Sequence, residues 1–115
     1  MSEEVGLRRL KKRAEFVRVA RGSRVGRSAF SLQVNDREMP TPGIGFTVTK
    51  QTGNSPERNR IRRRLRAAVQ ACATGFQPSH DYVLVGRREA LSISFDRLVS
   101  ELGGAIPKVH ARKKN

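Results

Sequence analysis

Two spacings organise the apolar residues of this chain. Over 29–35, AFSLQVN alternates, with Phe30, Leu32 and Val34 to one side and Ser31, Gln33 and Asn35 to the other. Over 44–50, IGFTVTK does the same, setting Ile44, Phe46 and Val48 against Gly45, Thr47 and Thr49. A period of two predicts strands with one buried face. Over 81–87, DYVLVGR is apolar at both parities from Tyr82 to Val85, which predicts a strand covered on both sides. The second spacing is three to four residues. It runs through Ala14, Phe16, Val17, Val19 and Ala20 over 12–21, with Gly22 placed as a C-cap. It recurs in Phe95, Leu98, Val99 and Leu102 over 94–102, where Ser94 suits an N-cap.

A third helix is predicted over 56–73. Ser55 is read as its N-cap, Pro56 fits the first helical position, Glu57 suits the positive end of the dipole, and Gly75 follows its end. On a helical wheel Ile61, Leu65, Ala68, Val69 and Cys72 form one stripe, enough to dock on a sheet. Asn59, Arg60, Arg62, Arg63, Arg64 and Arg66 lie off that stripe and give the helix a broad cationic back. Arg58 lines up with the stripe one turn before it begins, which places it at the helix mouth beside the sheet. Interspersed helices and strands in one short chain define an α+β class, a small single-domain α-β sandwich over 1–115. DREMPTPG over 36–43 reads as a loop, residues 1–12 as a flexible basic arm anchored by Leu7 and Leu10, and 107–115 as a basic tail without fixed structure.

Charge changes the picture from a fold to a partner. Lysine and arginine number 24 against 10 acids, a net charge of +14 that repels itself in a compact state. A polyanion relieves that repulsion by neutralisation and counterion release. A membrane is not expected as the partner. No apolar run spans a bilayer, no helix sets a bulky apolar face against lysines, and no signal peptide opens the chain, so the expected location is cytoplasmic. Cys72 is the sole cysteine and is expected to pack as a small apolar side chain. With only His80 and His110 beside it, no zinc set is expected, and the scattered acids offer no carboxylate pair for metal-assisted hydrolysis. His80 next to Asp81 lacks a third partner for a relay and is read as a loop residue. None of the six arginines within 58–66 has an acid four residues away, Glu57 offering only a weak partner nearby, and their planar forks suit phosphate.

The stretch TKQTGNSPERNRIRRRLR over 49–66 resembles the signature of the bacterial ribonuclease P protein component. That pattern is a strand ending in Ser/Thr-Lys, then Gly-Asn, then a helix with Arg-Asn-Arg and further basic residues. Gly53, Asn54, Arg58, Asn59, Arg60, Ile61 and Arg63 match it. RLKKRAEFVRV over 9–19 is similar to the family's first helix, and DYVLVGR with LSISFDRLVSEL to its last strand and helix. The resemblance implies the order α-β-β-β-α-β-α, a four-stranded sheet and a left-handed β-α-β crossover, against the usual right-handed preference. It implies a protein subunit that binds a large catalytic RNA and, with it, cleaves precursor tRNA endonucleolytically to leave the mature 5′ end. The chemistry is then borne by the RNA and its Mg²⁺, with no catalytic residue, metal or other cofactor on the protein and no protein partner implied. The RNA-binding residues it points to are Lys50, Asn54, Arg58, Asn59, Arg60, Arg62, Arg63, Arg64 and Arg66. A groove for the single-stranded 5′ leader is expected between the first helix and the sheet, lined by Lys12, Arg13, Phe16, Ser31, Gln33, Thr47 and Thr49. Relatives often carry aromatics where this chain has Phe16, Ala20 and Gln33. Only Phe16 keeps a ring, which shifts the expected recognition toward hydrogen bonding and shape. The alternative class is a structural protein that binds ribosomal RNA, which fits the charge and size but not the full motif.

Overall fold

The computed structural model describes residues 6–113. In chain order the elements are β1 (Arg8–Arg9), α1 (Arg13–Ala20), β2 (Ser23–Gly26), β3 (Phe30–Asp36), β4 (Gly43–Thr47), α2 (Ser55–Ala71), β5 (His80–Gly86) and α3 (Phe95–Lys113). The strands form one mixed sheet in the order β1-β4-β5-β3-β2. β4 and β5 are parallel neighbours joined through α2, while β5 pairs antiparallel with β3 and β3 with β2. Five strands appear where four were expected, because β1 adds a short parallel pairing at the β4 edge, Arg8 opposite Gly43 and Arg9 opposite Ile44. Residues 6–12 are therefore not a loose arm. Leu10 is buried, and its N–H donates to the Ile44 carbonyl. Residues 1–5, the rest of the expected arm, lie outside the described residues.

Parity sorts the sheet as the sequence predicts. Phe30, Leu32, Val34, Ile44, Tyr82 and Leu84 face the main core, where α2 and α3 cover them. The α2 stripe is Ile61, Leu65, Ala68 and Val69, all buried, and it lies so near the sheet that a Cβ on Gly86 would meet the Ile61 Cγ2 at 2.8 Å. Each large side chain taken from water on this stripe contributes about 1.5–3 kcal/mol. β5 sits between β4 and β3 with apolar residues on both faces, as its unbroken apolar run requires.

The expectation of an unstructured tail fails. α3 continues to Lys113, and Val109 is fully buried in the main core with Leu98, Leu102 and Ala105. Burial of a stripe that repeats at 98, 102, 105 and 109 outweighs Pro107, whose ring removes a helical hydrogen bond at a cost of about 3 kcal/mol. His110, assigned to that tail, instead lies against the core, its Nε2 hydrogen-bonded with the Tyr82 hydroxyl at 2.6 Å. Burial pushes the Tyr82 hydroxyl up to about 12, so it stays a proton donor.

α1 packs on the opposite face, where Val19 meets Leu10 and Val83 in a second, smaller cluster. That face also holds Asp81, with 0% exposure. Arg8 of β1 donates to its Oδ1 at 2.6 Å, Arg37 to its Oδ2 at 3.4 Å, and an Arg18 nitrogen lies 4.0 Å from Oδ2. One buried carboxylate thus ties together the first strand, the first helix and the loop after β3. Removing one partner of a buried ion pair costs about 3–5 kcal/mol. Asp81→Ala is expected near the lower end, since the arginines can turn toward water, and urea unfolding measures it. A loss below about 1 kcal/mol would place the lock elsewhere.

Candidate nucleic-acid interface

The start of α2 is a reciprocal cap, and its N-cap is Asn54 rather than Ser55. Asn54 Oδ1 accepts from the Glu57 N–H and Glu57 Oε1 accepts from the Asn54 N–H, each at 2.9 Å. The predicted C-cap also shifts, since Cys72 closes the helix and Gly75 ends a separate turn over Ala73–Gly75. Gly53 is required here by close approach, because a Cβ would stand 2.6 Å from Glu57 Oε1. The Glu57 carboxylate is further gripped by Arg88, with Nη1 to Oε1 at 3.1 Å and Nη2 to Oε2 at 2.9 Å. The Arg88 hydrogen bonds and then the Asn54 N–H hold its pKa down to about 2.

With Glu57 occupied, the α2 arginines find no carboxylate among the described residues. Three are held by neutral acceptors instead. Arg58 donates to the Gly53 carbonyl at 2.8 Å and to Ser55 Oγ at 3.2 Å, which puts it at the helix mouth as the wheel required. Arg62 donates to Asn59 Oδ1 at 3.2 Å, so the amide between two arginines fixes a third one turn on. Arg64 is half-buried and donates to the Ile93 carbonyl, so it secures the approach to α3 rather than standing on the open back. Arg66 sits over the Phe46 ring at 5.7 Å, a contact the sequence analysis did not anticipate. Arg60 and Arg63 are exposed, as is Lys50 in the turn that precedes the helix.

The second expected surface lies on the other face of the sheet. A groove of about 480 Å³ is lined by Lys11, Arg13, Phe16, Val17, Ala20 and Thr47. Phe16 packs close to the sheet because Gly45 has no side chain, where a Cβ would stand 2.7 Å from its ring. Ser31 and Gln33 share the groove's side of the sheet, but both are only 7% exposed and neither lines the groove, a departure from the expected lining. Lys12 flanks α1 without lining the groove, and Lys11 takes the place assigned to it. Thr49 lies past the end of β4 with its hydroxyl 3.3 Å from that of Thr52.

The two surfaces meet. β1 pairs with only Gly43 and Ile44, so the β4 edge at Gly45, Phe46 and Thr47 has no strand beside it. At this open edge a smaller hollow of about 150 Å³ brings Arg9, Arg62 and Arg66 to Phe16. Arg9 is absent from the expected site residues, because only the pairing of β1 carries it there. Among the described residues no three His, Cys, Asp or Glu side chains gather, and Asp81 and Glu57 are engaged by arginines.

A guanidinium array without acid partners, joined at a sheet edge to a groove holding one aromatic ring, defines a small α+β protein built to meet a polyanion. The family model for ribonuclease P matches residues 6–110. The ribonuclease P protein component of Brucella suis is 40% identical over 117 residues, covering 92% of this chain and 82% of that one. The component from Gluconacetobacter diazotrophicus is 44% identical over 108 residues, covering 90% and 92%. The chain belongs to the ribonuclease P protein family. Its fold matches the Staphylococcus aureus RNase P protein with a TM-score of 0.74 at 24% identity, over 93% of this chain and 97% of that one. The Thermotoga maritima RNase P protein superposes with a TM-score of 0.71 at 20% identity, over 82% and 90%. No helix among the described residues is long and apolar enough to cross a membrane.

The clamp on Glu57 makes a pH prediction. Its folded pKa of about 2 lies below the ordinary 4.5, so its contribution is complete above 4.5 and fades as pH falls toward 2. Glu57→Gln is expected to lower Tm at neutral pH, with the gap from the parent closing across that window. Thermal melts at pH 7, 4 and 2.5 measure it, and a gap that stays constant would remove Glu57's charge from the account.

Proposed function

We propose that this chain is the protein subunit of ribonuclease P, binding a large catalytic RNA through α2 and the unpaired 5′ leader of precursor tRNA through the groove beside α1. The complex then cleaves the precursor endonucleolytically to give the mature 5′ end, in the cytoplasm. The observation that carries this reading is the α2 array. Arg58 and Arg62 are positioned by a carbonyl, a hydroxyl and an amide, none of which neutralises them, and Arg60 and Arg63 stand exposed beside them. Neutral acceptors fix where each fork points while leaving its charge for phosphate oxygens. The Asn54 cap makes that orientation rigid at the helix start, so its first task is structural.

In this reading the protein contributes no bond-breaking group. Its residues raise the local affinity for RNA and hold the leader in the groove beside Phe16, whose ring packs at Gly45 and offers a stacking platform for a base. The Mg²⁺ that the hydrolysis needs is supplied through the RNA, where it activates water and stabilises the leaving oxygen.

Two measurements test this. Arg63→Ala is expected to weaken binding to the catalytic RNA and to reduce the log–log salt slope by about 0.7–0.9, one phosphate's worth, with the far-ultraviolet circular dichroism unchanged. Filter binding between 50 and 400 mM salt reads it, and an unaltered slope would remove Arg63 from the interface. Phe16→Leu keeps an apolar side chain against Gly45 but loses the ring. Its expected effect is about a tenfold fall in the preference of the reconstituted complex for precursor over mature tRNA, since a stacked base contributes about 1–3 kcal/mol. A steady preference would leave the groove without its occupant.

A further inference from the structure

A second cluster of unneutralised arginines lies across the sheet from the first. It gathers at the β2 edge and the turn after it. Arg87 follows Val85 at the next odd position of β5, on the α1 side of the sheet. Its Nη2 hangs 3.3 Å from where a Cβ on Gly26 would stand, and its Nη1 donates to the Arg27 carbonyl at 2.9 Å. Arg27 donates to the Gly26 carbonyl at 3.0 Å, and Arg112 reaches from α3 to the Arg24 carbonyl at 3.2 Å. The acceptors are again neutral backbone oxygens. Among the described residues no carboxylate pairs with Arg24, Arg27, Arg87 or Arg112, and Glu101, which reaches the same turn, is engaged by Ser28 and Arg97.

Register shows what this cluster faces. Thr47 of β4 pairs with Val85 of β5, Val85 with Ser31 of β3, and Ser31 with Gly26 of β2. This row crosses the sheet from Thr47, which lines the groove, to Gly26, beside which Arg87 lies. Arg24 belongs to the next row, opposite Gln33. Three interstrand steps of about 4.8 Å separate Thr47 from Gly26, roughly 14 Å in all. Between them lie Val85, half-buried, and Ser31, 7% exposed, with no basic side chain on that row until Arg87.

We infer that Arg87, with Arg24 and Arg27, is a second phosphate clamp. It grips the backbone of the single strand lying in the groove, several nucleotides beyond the base stacked on Phe16. The strand is thereby pinned at both ends, by Arg62 and Arg66 at the open β4 edge and by Arg87 and Arg24 at the β2 edge. The inference rests on the leader-groove reading, and it predicts a dependence on leader length that the reading alone does not.

The test is a series of precursor tRNAs with leaders of about one, four and eight nucleotides, chosen from the groove span above, bound to the complex reconstituted with the catalytic RNA and Ca²⁺ in place of Mg²⁺. For the parent protein, affinity is expected to climb with each increase in leader length. For the double variant R24A/R87A the climb is expected to stop after the intermediate leader, a loss of about tenfold on the longest. Arg87→Lys, which keeps the charge but not the fork, is expected to recover part of it. A loss equal at every leader length, or none, would overturn the clamp. If the parent itself shows no dependence on leader length, the groove reading fails first. If Phe16→Leu acts as expected while R24A/R87A matches the parent, only the clamp fails.

Discussion

Ile61 and Leu65, fully buried against β5, hold the helix from which every cation of the main array projects. A surplus of 14 positive charges favours expansion, and α2 concentrates six of its arginines within 58–66. Isolated in water, such a segment would have little reason to stay helical. The apolar stripe supplies that reason, and the glycine at 86 allows the helix to settle close enough for the stripe to be dry. Once the cylinder is fixed, the directions of the guanidinium groups follow from local acceptors. A looser docking would leave the same net charge but no fixed array.

The other face of the sheet solves a different problem with the opposite means. There the charges are neutralised inside the protein, because Asp81 is buried and needs its arginines. This lock ties Arg8 of β1, Arg18 near the end of α1 and Arg37 after β3 to one carboxylate. The groove owes its existence to the incomplete β4 edge and to Gly45, which lets an aromatic ring pack close to the backbone. The division of labour is clear in the acids themselves. Asp81 and Glu57 are consumed in holding the fold, one under α1 and one at the start of α2, and the arginines they leave over face outward.

Much of this was legible in the residues. Alternation assigned the faces of β3 and β4 correctly, and the wheel placed both the α2 stripe and the outlying Arg58. What was hidden depends on contacts distant in sequence. β1 is two residues long and exists only by pairing with Gly43 and Ile44, so no periodicity announces it. The last turns of α3 looked like a tail because Gly103, Gly104 and Pro107 signal a stop, and only Val109's place in the core overrides them. The role of Asp81 had no local signal, because its three cations come from positions 8, 18 and 37. Ser31 and Gln33 were assigned to the right side of the sheet but not the right depth, since parity carries no information on what lies above. The cap at Asn54 rather than Ser55 is a one-residue choice, decided by which oxygen reaches the Glu57 N–H.

The neutral acceptors behind the arginines have one more effect. A guanidinium leaning on a carbonyl or an amide has no partner that titrates, and arginine itself stays protonated throughout the range in which cells live. The charge these arginines present is therefore constant across physiological acidity. What remains able to modulate their grip is the ionic atmosphere: monovalent salt, divalent cations and polyamines that crowd the same phosphates. The array answers to the composition of its electrolyte rather than to its hydrogen-ion activity.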